Sequence, residues 1–293
     1  MTVHTIFSDT GAPEAFRKSA RLSQHISFLR DFFRSYKDLL DSGKIALGDK
    51  VNFSVPTGNF GDILAGYLAK LLGLPVGKLI CASNANNVLT DFLATGRYDR
   101  LRPLRKTISP SMDILVSSNL ERLLYLLSGC DCDLVAELMG QLNAQGFYTV
   151  PDPLKEAISR EFWAGCCDDD GAATAIGKVW QEQHYLCDPH TACGWAVAED
   201  YVNQTGDKRP MVVLSTASPY KFPAAVLGAI TAPADSAMEE PAVAQGDEFA
   251  QMEQLEALTG VPMPANLKNL RQKQVLHTDV IDKDAMLDYV LAL

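Results

Sequence analysis

The 293-residue sequence contains no run of about 18 apolar residues, so no transmembrane helix is expected. Its first residues, MTVHTIFSDTGAPEAF, have neither the basic nor the apolar stretch of a secretory signal, and a cytoplasmic location is expected. Positive charge is scarce: 26 Lys and Arg against 36 Asp and Glu leave a net charge of −10. That balance argues against nucleic acid or an anionic membrane as partner. It also means that an anionic ligand must be drawn in by local groups, because the overall field repels it. Cysteine pairing is missing too. The seven cysteines, Cys81, Cys130, Cys132, Cys166, Cys167, Cys187 and Cys193, are odd in number and form no CxxC pair. Free thiols are expected, and no metal site. Two common phosphate-binding signatures are absent, the Gly-Lys-Ser/Thr loop and GxGxxG, and no internal repeat occurs.

What is present centres on residues 51–72, VNFSVPTGNFGDILAGYLAKLL. A β-branched apolar run (51–55) enters the turn Pro56-Thr57-Gly58-Asn59-Phe60-Gly61-Asp62, and an apolar helical pattern follows at once. Strand, glycine turn and helix aim free backbone N–H groups and the positive end of a helix dipole at an anion. Gly58 and Gly61 are expected to let the backbone approach a phosphate and to take up positive φ where needed. Asp62 is the awkward member, since its carboxylate suits the dipole but repels a phosphate. A side chain turned away to cap the helix would resolve the conflict.

Elsewhere, Leu22, Ile26, Leu29, Phe33, Tyr36 and Leu40 fall on one face of a helix over 22–40. A second strand is expected at 78–82 and a second helix at 86–94, so 51–96 reads as βαβα with a parallel sheet. Residues 113–118 read as a strand. Helices are expected at 119–127, 133–145, 153–163, 172–183, 190–202 and 222–230, with a late strand at 211–216. The division predicted is a helical N-terminal segment with a divergent start (1–50), an α/β cofactor-binding region (51–230), a linker (231–247) rich in Ala, Pro, Ser and Glu, and a helical tail (248–293). The tail has an apolar pattern at Met286, Tyr289, Val290 and Leu293.

Four segments occur in order: PTGNFGDILAGYLAKLLGLPVGKLICASN, TISPSMDILVSSNLERLLYLLSG, CDPHTACGWAV and VLSTASPYKFPAAV. Together they resemble threonine synthase, from about Leu39 to the end of the chain. The resemblance implies an α/β, parallel-sheet fold of the fold type II (tryptophan synthase β-like) pyridoxal-phosphate enzymes. It also implies conversion of O-phospho-L-homoserine and water to L-threonine and phosphate. Pyridoxal 5'-phosphate is the implied cofactor. Gly58, Asn59, Phe60 and Gly61 match the family loop that holds the cofactor phosphate through main-chain amides. Thr216 matches the hydroxyl that faces the pyridine nitrogen. Ser117, Ser118, Asn119 and Arg122 match the SSNxER segment. Arg122 reads either as a ligand of the substrate phosphate or carboxylate or as a surface ion pair with Glu121. His190 reads either as a site residue or as a structural hydrogen-bonding group at a helix start, and Lys221 as a solvated or packed lysine.

The sequence also departs from the family. The cofactor lysine of a Phe-Lys-Asp segment is expected far upstream of the phosphate loop, and Lys18, Lys37, Lys44 and Lys50 stand in no such context. Ser218 replaces the usual histidine of the STA-H-P stretch, and 18–24 (KSARLSQ) lacks the family's asparagine. The resemblance is therefore to a C-terminal portion lacking its N-terminal region, expected to be inactive alone and to bind the cofactor weakly. Uncovered apolar surface is expected to cause self-association, or to bind the missing region. A non-catalytic paralogue or subunit that keeps a phosphate- or partner-binding fold is the alternative.

Overall fold

The computed structural model describes residues 3–7, 22–232, 246–276 and 278–292. Strand β1 (Val3–Phe7) precedes helix α1 (Leu22–Asp41). Then come β2 (Val51–Pro56), α2 (Gly61–Leu71), β3 (Val76–Ser83), α3 (Val88–Thr95) and the short β4 (Arg97–Asp99). Helices α4 (Leu120–Leu127) and α5 (Cys132–Gln145) lead to β5 (Phe147–Thr149), α6 (Asp152–Glu161) and β6 (Phe162–Cys166). Helices α7 (Asp169–Gln183) and α8 (Pro189–Thr205) precede β7 (Met211–Ser215) and α9 (Pro223–Thr231). Three helices, α10 (Glu248–Thr259), α11 (Ala265–Lys268) and α12 (Met286–Leu291), lie in the tail.

The main sheet has the order β1-β7-β2-β3-β6, and every pair in it is parallel. Its strands alternate faces with period two. Phe53, Val55, Leu79, Cys81, Val212 and Leu214 join the core under α1 and α2, whereas Ile80, Ala82, Met211 and Val213 join the core under α7, α8 and α9. Both faces are thus covered, as a parallel sheet requires. Asn52 and Ser54 are the polar exceptions on β2, and both are satisfied: the Asn52 side-chain nitrogen donates to the Asp207 carboxylate at 2.9 Å and the Ser54 hydroxyl to the Gly194 carbonyl of α8 at 2.7 Å. β4 and β5 pair antiparallel apart from this sheet, where Tyr98 stacks on Tyr148 with centroids 5.3 Å apart.

The order of strands decides where the site lies. β7 pairs beside β2, with Ser54 opposite Val213. The loops that leave the C-terminal ends of both strands therefore emerge side by side. A crevice beyond the carboxyl ends of neighbouring parallel strands is where open α/β sheets hold ligands.

Several expectations are corrected. Residues 113–118 are not a strand. Asp113 instead anchors a loop: its carboxylate accepts from Asn84, Asn86 and the Thr107 hydroxyl at 2.7–2.9 Å, and from the Thr107 amide at 2.9 Å. Residues 162–166 are a strand where the end of a helix was expected, because α6 stops at Glu161. Within the segment expected to be helical, Val3–Phe7 is a strand, since its β-branched run pairs along the edge of β7. The buried face of α1 carries Tyr36, as expected, with Leu29 and Leu40 partly buried against the core, but its most buried members also include Phe32 and Leu39, and Phe33 is 40% exposed. The tail is helical only in pieces, as Pro262 and Pro264 interrupt it. Residues 233–245 of the expected linker, the side chains of Leu22 and Ile26, and Leu293 lie outside the described residues.

Candidate functional site

Strand β2 ends in Pro56, and Thr57 is still held to the sheet by its amide, which donates to the Ala82 carbonyl at 2.8 Å. The chain then turns sharply. The left-handed residue of the turn is Phe60, with φ 65°, and neither Gly58 nor Gly61 has positive φ. This corrects the positive-φ part of what was expected of the glycines. Their role is close approach. A Cβ on Gly58 would lie 3.0 Å from the Met112 Cα and the Ser111 carbonyl oxygen, and one on Gly61 would lie 3.0 Å from the Asn59 Oδ1. Phe60 tolerates its backbone conformation because its ring is fully buried and packs on Phe162 with centroids 5.6 Å apart.

The loop is braced from outside. Asn59 accepts at its carbonyl from both the Asn119 amide (3.1 Å) and the Asn119 side-chain nitrogen (2.9 Å). The Asn59 Oδ1 accepts from the Gly61 amide at 2.9 Å. The Gly58 carbonyl accepts from the Ser117 hydroxyl at 2.8 Å. Arg122 stands one layer further out. Its Nη1 donates to the Ser118 carbonyl (3.0 Å) and the Asn119 Oδ1 (3.1 Å) and pairs with Glu121 at 3.6 Å.

With the carbonyls thus engaged, the amides of Gly58, Asn59 and Phe60 donate to no protein acceptor among the described residues. They stand at the start of α2, where the helix dipole adds a partial positive charge. A cavity of about 190 Å³ opens here, lined by Gly58, Asn59 and Asp62 from this loop and by Thr216, Ala217 and Lys221 from the segment after β7. Ser111, Met112 and His190 close another side. The structure therefore brings together Gly58, Asn59 and Thr216. Phe60 and Gly61 shape the loop behind it, and Ser118, Asn119 and Arg122 support it without lining the cavity.

His190 begins α8 and is buried with Asp188, the residue that caps the helix. The Asp188 carboxylate accepts from the His190 Nδ1 at 2.8 Å and from the His190 amide at 2.9 Å. The His190 Nε2 accepts from the Ser111 amide at 3.2 Å, so the proton of the neutral ring sits on Nδ1. His190 is thus a strut that holds Ser111 and Met112 against Gly58. The wall formed by Ser111 and Met112 was not anticipated as part of the site. The only signal for it was the short SPSM run, which forms a single 3-10 turn at Pro110–Met112.

Asp62 differs from its expected role. It caps nothing: its carboxylate makes no hydrogen bond to an amide of α2 among the described residues. Its Oδ1 is buried without a hydrogen-bond partner among the described residues. Burial first, and the negative charge of Asp31 second, push its carboxyl up to about 7.

A family description of threonine synthase, C-terminal, matches residues 191–286. The threonine synthase of Pseudomonas aeruginosa is 46% identical over 176 residues, which make up 60% of this chain and 37% of that protein. Threonine synthase-like 1 of Macaca fascicularis is 44% identical over 197 residues, 67% of this chain and 26% of that protein. The crystal structure of PLP-bound threonine synthase from Brucella melitensis superposes with a TM-score of 0.67 at 38% identity, covering 81% of this chain and 47% of that one.

The chain belongs to the threonine synthase family. It corresponds to the C-terminal portion of a protein of that type, and its parallel sheet is that of the fold type II pyridoxal-phosphate enzymes. The chain spans less than half the length of these threonine synthase relatives. Among the described residues no helix is long and apolar enough to cross a membrane, and no group of acidic, histidine and cysteine side chains is placed to hold a metal. All seven cysteines are free thiols.

Proposed function

We propose that this chain forms one wall of a threonine synthase-type active site, the wall that seats the phosphate and the pyridine ring of pyridoxal 5'-phosphate. The observation that carries the reading is the meeting of the β2 and β7 loops in one cavity, with unengaged amides on one side and the Thr216 hydroxyl on the other. Those residues fit the group. Three backbone donors at a helix start suit a phosphate, and a neutral hydroxyl suits a pyridine nitrogen. When bound, the cofactor supplies an electron sink. Gly58, Asn59 and Phe60 hold its anionic end, Thr216 orients the ring, and the Ser111 and Met112 wall keeps water from one side.

The substrate of the family reading is O-phospho-L-homoserine, giving L-threonine and phosphate. Ser118, Asn119 and Arg122 stand next to the cofactor loop, where Arg122 has donors beyond Nη1 to offer an oxyanion. The lysine that forms the covalent link to the cofactor in the family has no counterpart in this chain's motifs. Lys221 is the lysine that lines the cavity. The chain alone therefore binds the cofactor weakly and does not turn over, and the remaining catalytic wall is supplied by an N-terminal region of the family type.

Binding of pyridoxal phosphate to the purified chain, followed by absorbance and by quenching of tryptophan fluorescence, tests the reading. Binding abolished by Gly58→Asp, which places a charge in the loop, supports it. Affinity unchanged in Gly58→Asp moves the site elsewhere. Threonine formation on co-expression with the N-terminal part of a threonine synthase supports the wider assignment. Failure to restore activity, with cofactor bound, favours a non-catalytic member.

A further inference from the structure

The cavity between the β2 and β7 loops carries two ionisable side chains of opposite sign, neither committed to another of the described residues. Asp62 lines the cavity, and its buried Oδ1 has no hydrogen-bond partner among the described residues. Lys221 lines the same cavity, and its ammonium makes no hydrogen bond or ion pair with any described residue. The other charged and titratable groups around Asp62 among the described residues are otherwise engaged or add negative charge. His190, from α8, uses one ring nitrogen on Asp188 and the other on the Ser111 amide. Asp31, from α1, adds negative charge. Arg122, beside the loop, pairs with Glu121 and does not line the cavity.

An oxyanion resting on the amides of Gly58, Asn59 and Phe60 sits close in sequence and in space to the Asp62 carboxyl. An ionised carboxylate there repels it, in a chain that already carries a net charge of −10. A neutral carboxyl does the opposite, because its O–H is a donor. Among the described residues that line the cavity, Lys221 is the cationic side chain placed to offset the ligand's charge.

We propose that this cavity takes up its oxyanion together with one proton, held on the carboxyl of Asp62, with Lys221 as the cationic contact. The inference rests on the phosphate-seat reading above and adds to it a coupled proton and a named counter-charge. The ligand class is a phosphate or sulfate oxyanion; the proton comes from solvent hydronium and forms the O–H of Asp62, and no bond of the ligand is made or broken. Burial and the Asp31 charge supply the physical cause, since both favour the neutral form of Asp62 near neutral pH.

The test is equilibrium binding to the full chain between about pH 6 and pH 8.5 at fixed ionic strength. Inorganic sulfate is the first probe, because its charge does not change over that range; pyridoxal phosphate is the second. Sulfate affinity is expected to fall as pH rises, approaching about tenfold per pH unit above the midpoint for one linked proton. Asp62→Asn is expected to remove the slope and to keep tight binding at about pH 8. Lys221→Met is expected to weaken binding several-fold at every pH and to keep the slope. Asp62→Ser serves as a second neutral variant, and a melting curve for each variant shows that it folds. Affinity independent of pH in the wild-type chain, or a slope that survives in both Asp62 variants, overturns the proposal while leaving the phosphate seat intact. Absence of binding by either probe overturns both.

Discussion

Asn119 donates twice to the carbonyl oxygen of Asn59, from its amide at 3.1 Å and from its side chain at 2.9 Å. A residue at the start of α4 thereby fixes the orientation of the peptide that leads into α2, and keeps that carbonyl occupied. The side-chain bond is the one that a substitution removes. Asn119→Ala is expected to lower pyridoxal phosphate affinity about five- to tenfold, in line with one hydrogen bond lost from a preorganised loop. Asn119→Asp should be as harmful, because a carboxylate cannot donate. Wild-type affinity in both variants, measured by titration, contradicts the bracing role.

Gly58→Ala tests the close approach of the loop to Ser111 and Met112. The new methyl would meet backbone atoms at 3.0 Å, which cannot yield as a flexible side chain can. A loss of about 1–3 kcal/mol in unfolding free energy is expected from such overpacking, with weaker cofactor binding. Denaturant melts and the same titration measure both. An unaltered melt and affinity would mean that the 111–112 wall moves freely.

Asp62 also governs stability. Its carboxyl is raised from the ordinary carboxylate range to about 7, so the folded chain holds this proton more tightly than the unfolded chain. The contribution to stability is therefore greatest below the unfolded value near 4, declines as pH rises toward 7, and is an unrelieved cost above that. Asp62→Asn is expected to stabilise the chain by on the order of 2–4 kcal/mol at pH 8 and by little at pH 4. Melting temperatures of the two proteins across that range decide it. A gain that is equal at both ends would assign the effect to something other than ionisation.

His190→Ala removes an acceptor from the Ser111 amide and a donor from the buried Asp188 carboxylate at once. A destabilisation of about 1–3 kcal/mol is expected, because the Ser111 amide loses its acceptor and the buried Asp188 carboxylate keeps only the His190 amide and Thr191 hydroxyl as donors. His190→Gln, which offers an acceptor and a donor, should recover part of it. No difference between the two variants in a denaturant melt contradicts the strut.

The tail exposes apolar side chains that the described residues leave uncovered. Leu276 is 76%, Val280 96%, Leu287 70% and Leu291 76% exposed. Uncovered apolar surface of this kind favours association. Sedimentation at rising concentration is expected to show self-association that the pair Leu287→Glu and Leu291→Lys reduces. A monodisperse wild-type monomer counts against it.

Much of this was legible in the residues. The β2 turn and α2 were marked by a β-branched run, two glycines and an apolar helical pattern, and β7 by MVVLST. Their meeting was not legible from local pattern, since β7 lies far along the chain and pairs beside β2 only in the folded sheet. The residue that takes positive φ was not legible either. Positive φ falls on Phe60, whose cost is met by tertiary packing against Phe162, a residue whose own strand is hidden behind a helix with no turn signal between them. Residues 113–118 misled for a related reason. Their apolar run suits a strand, but the bonds from Asn84, Asn86 and Thr107 to Asp113 come from other loops.

The most direct test of the central claim is a backbone amide resonance map of the chain titrated with pyridoxal phosphate, repeated with inorganic phosphate. The amides of Gly58, Asn59 and Phe60 are expected to shift most with both ligands, and Thr216 with pyridoxal phosphate only. Binding with these four resonances unmoved, and others shifting instead, would contradict the assignment of the β2 and β7 loops as the seat of the cofactor.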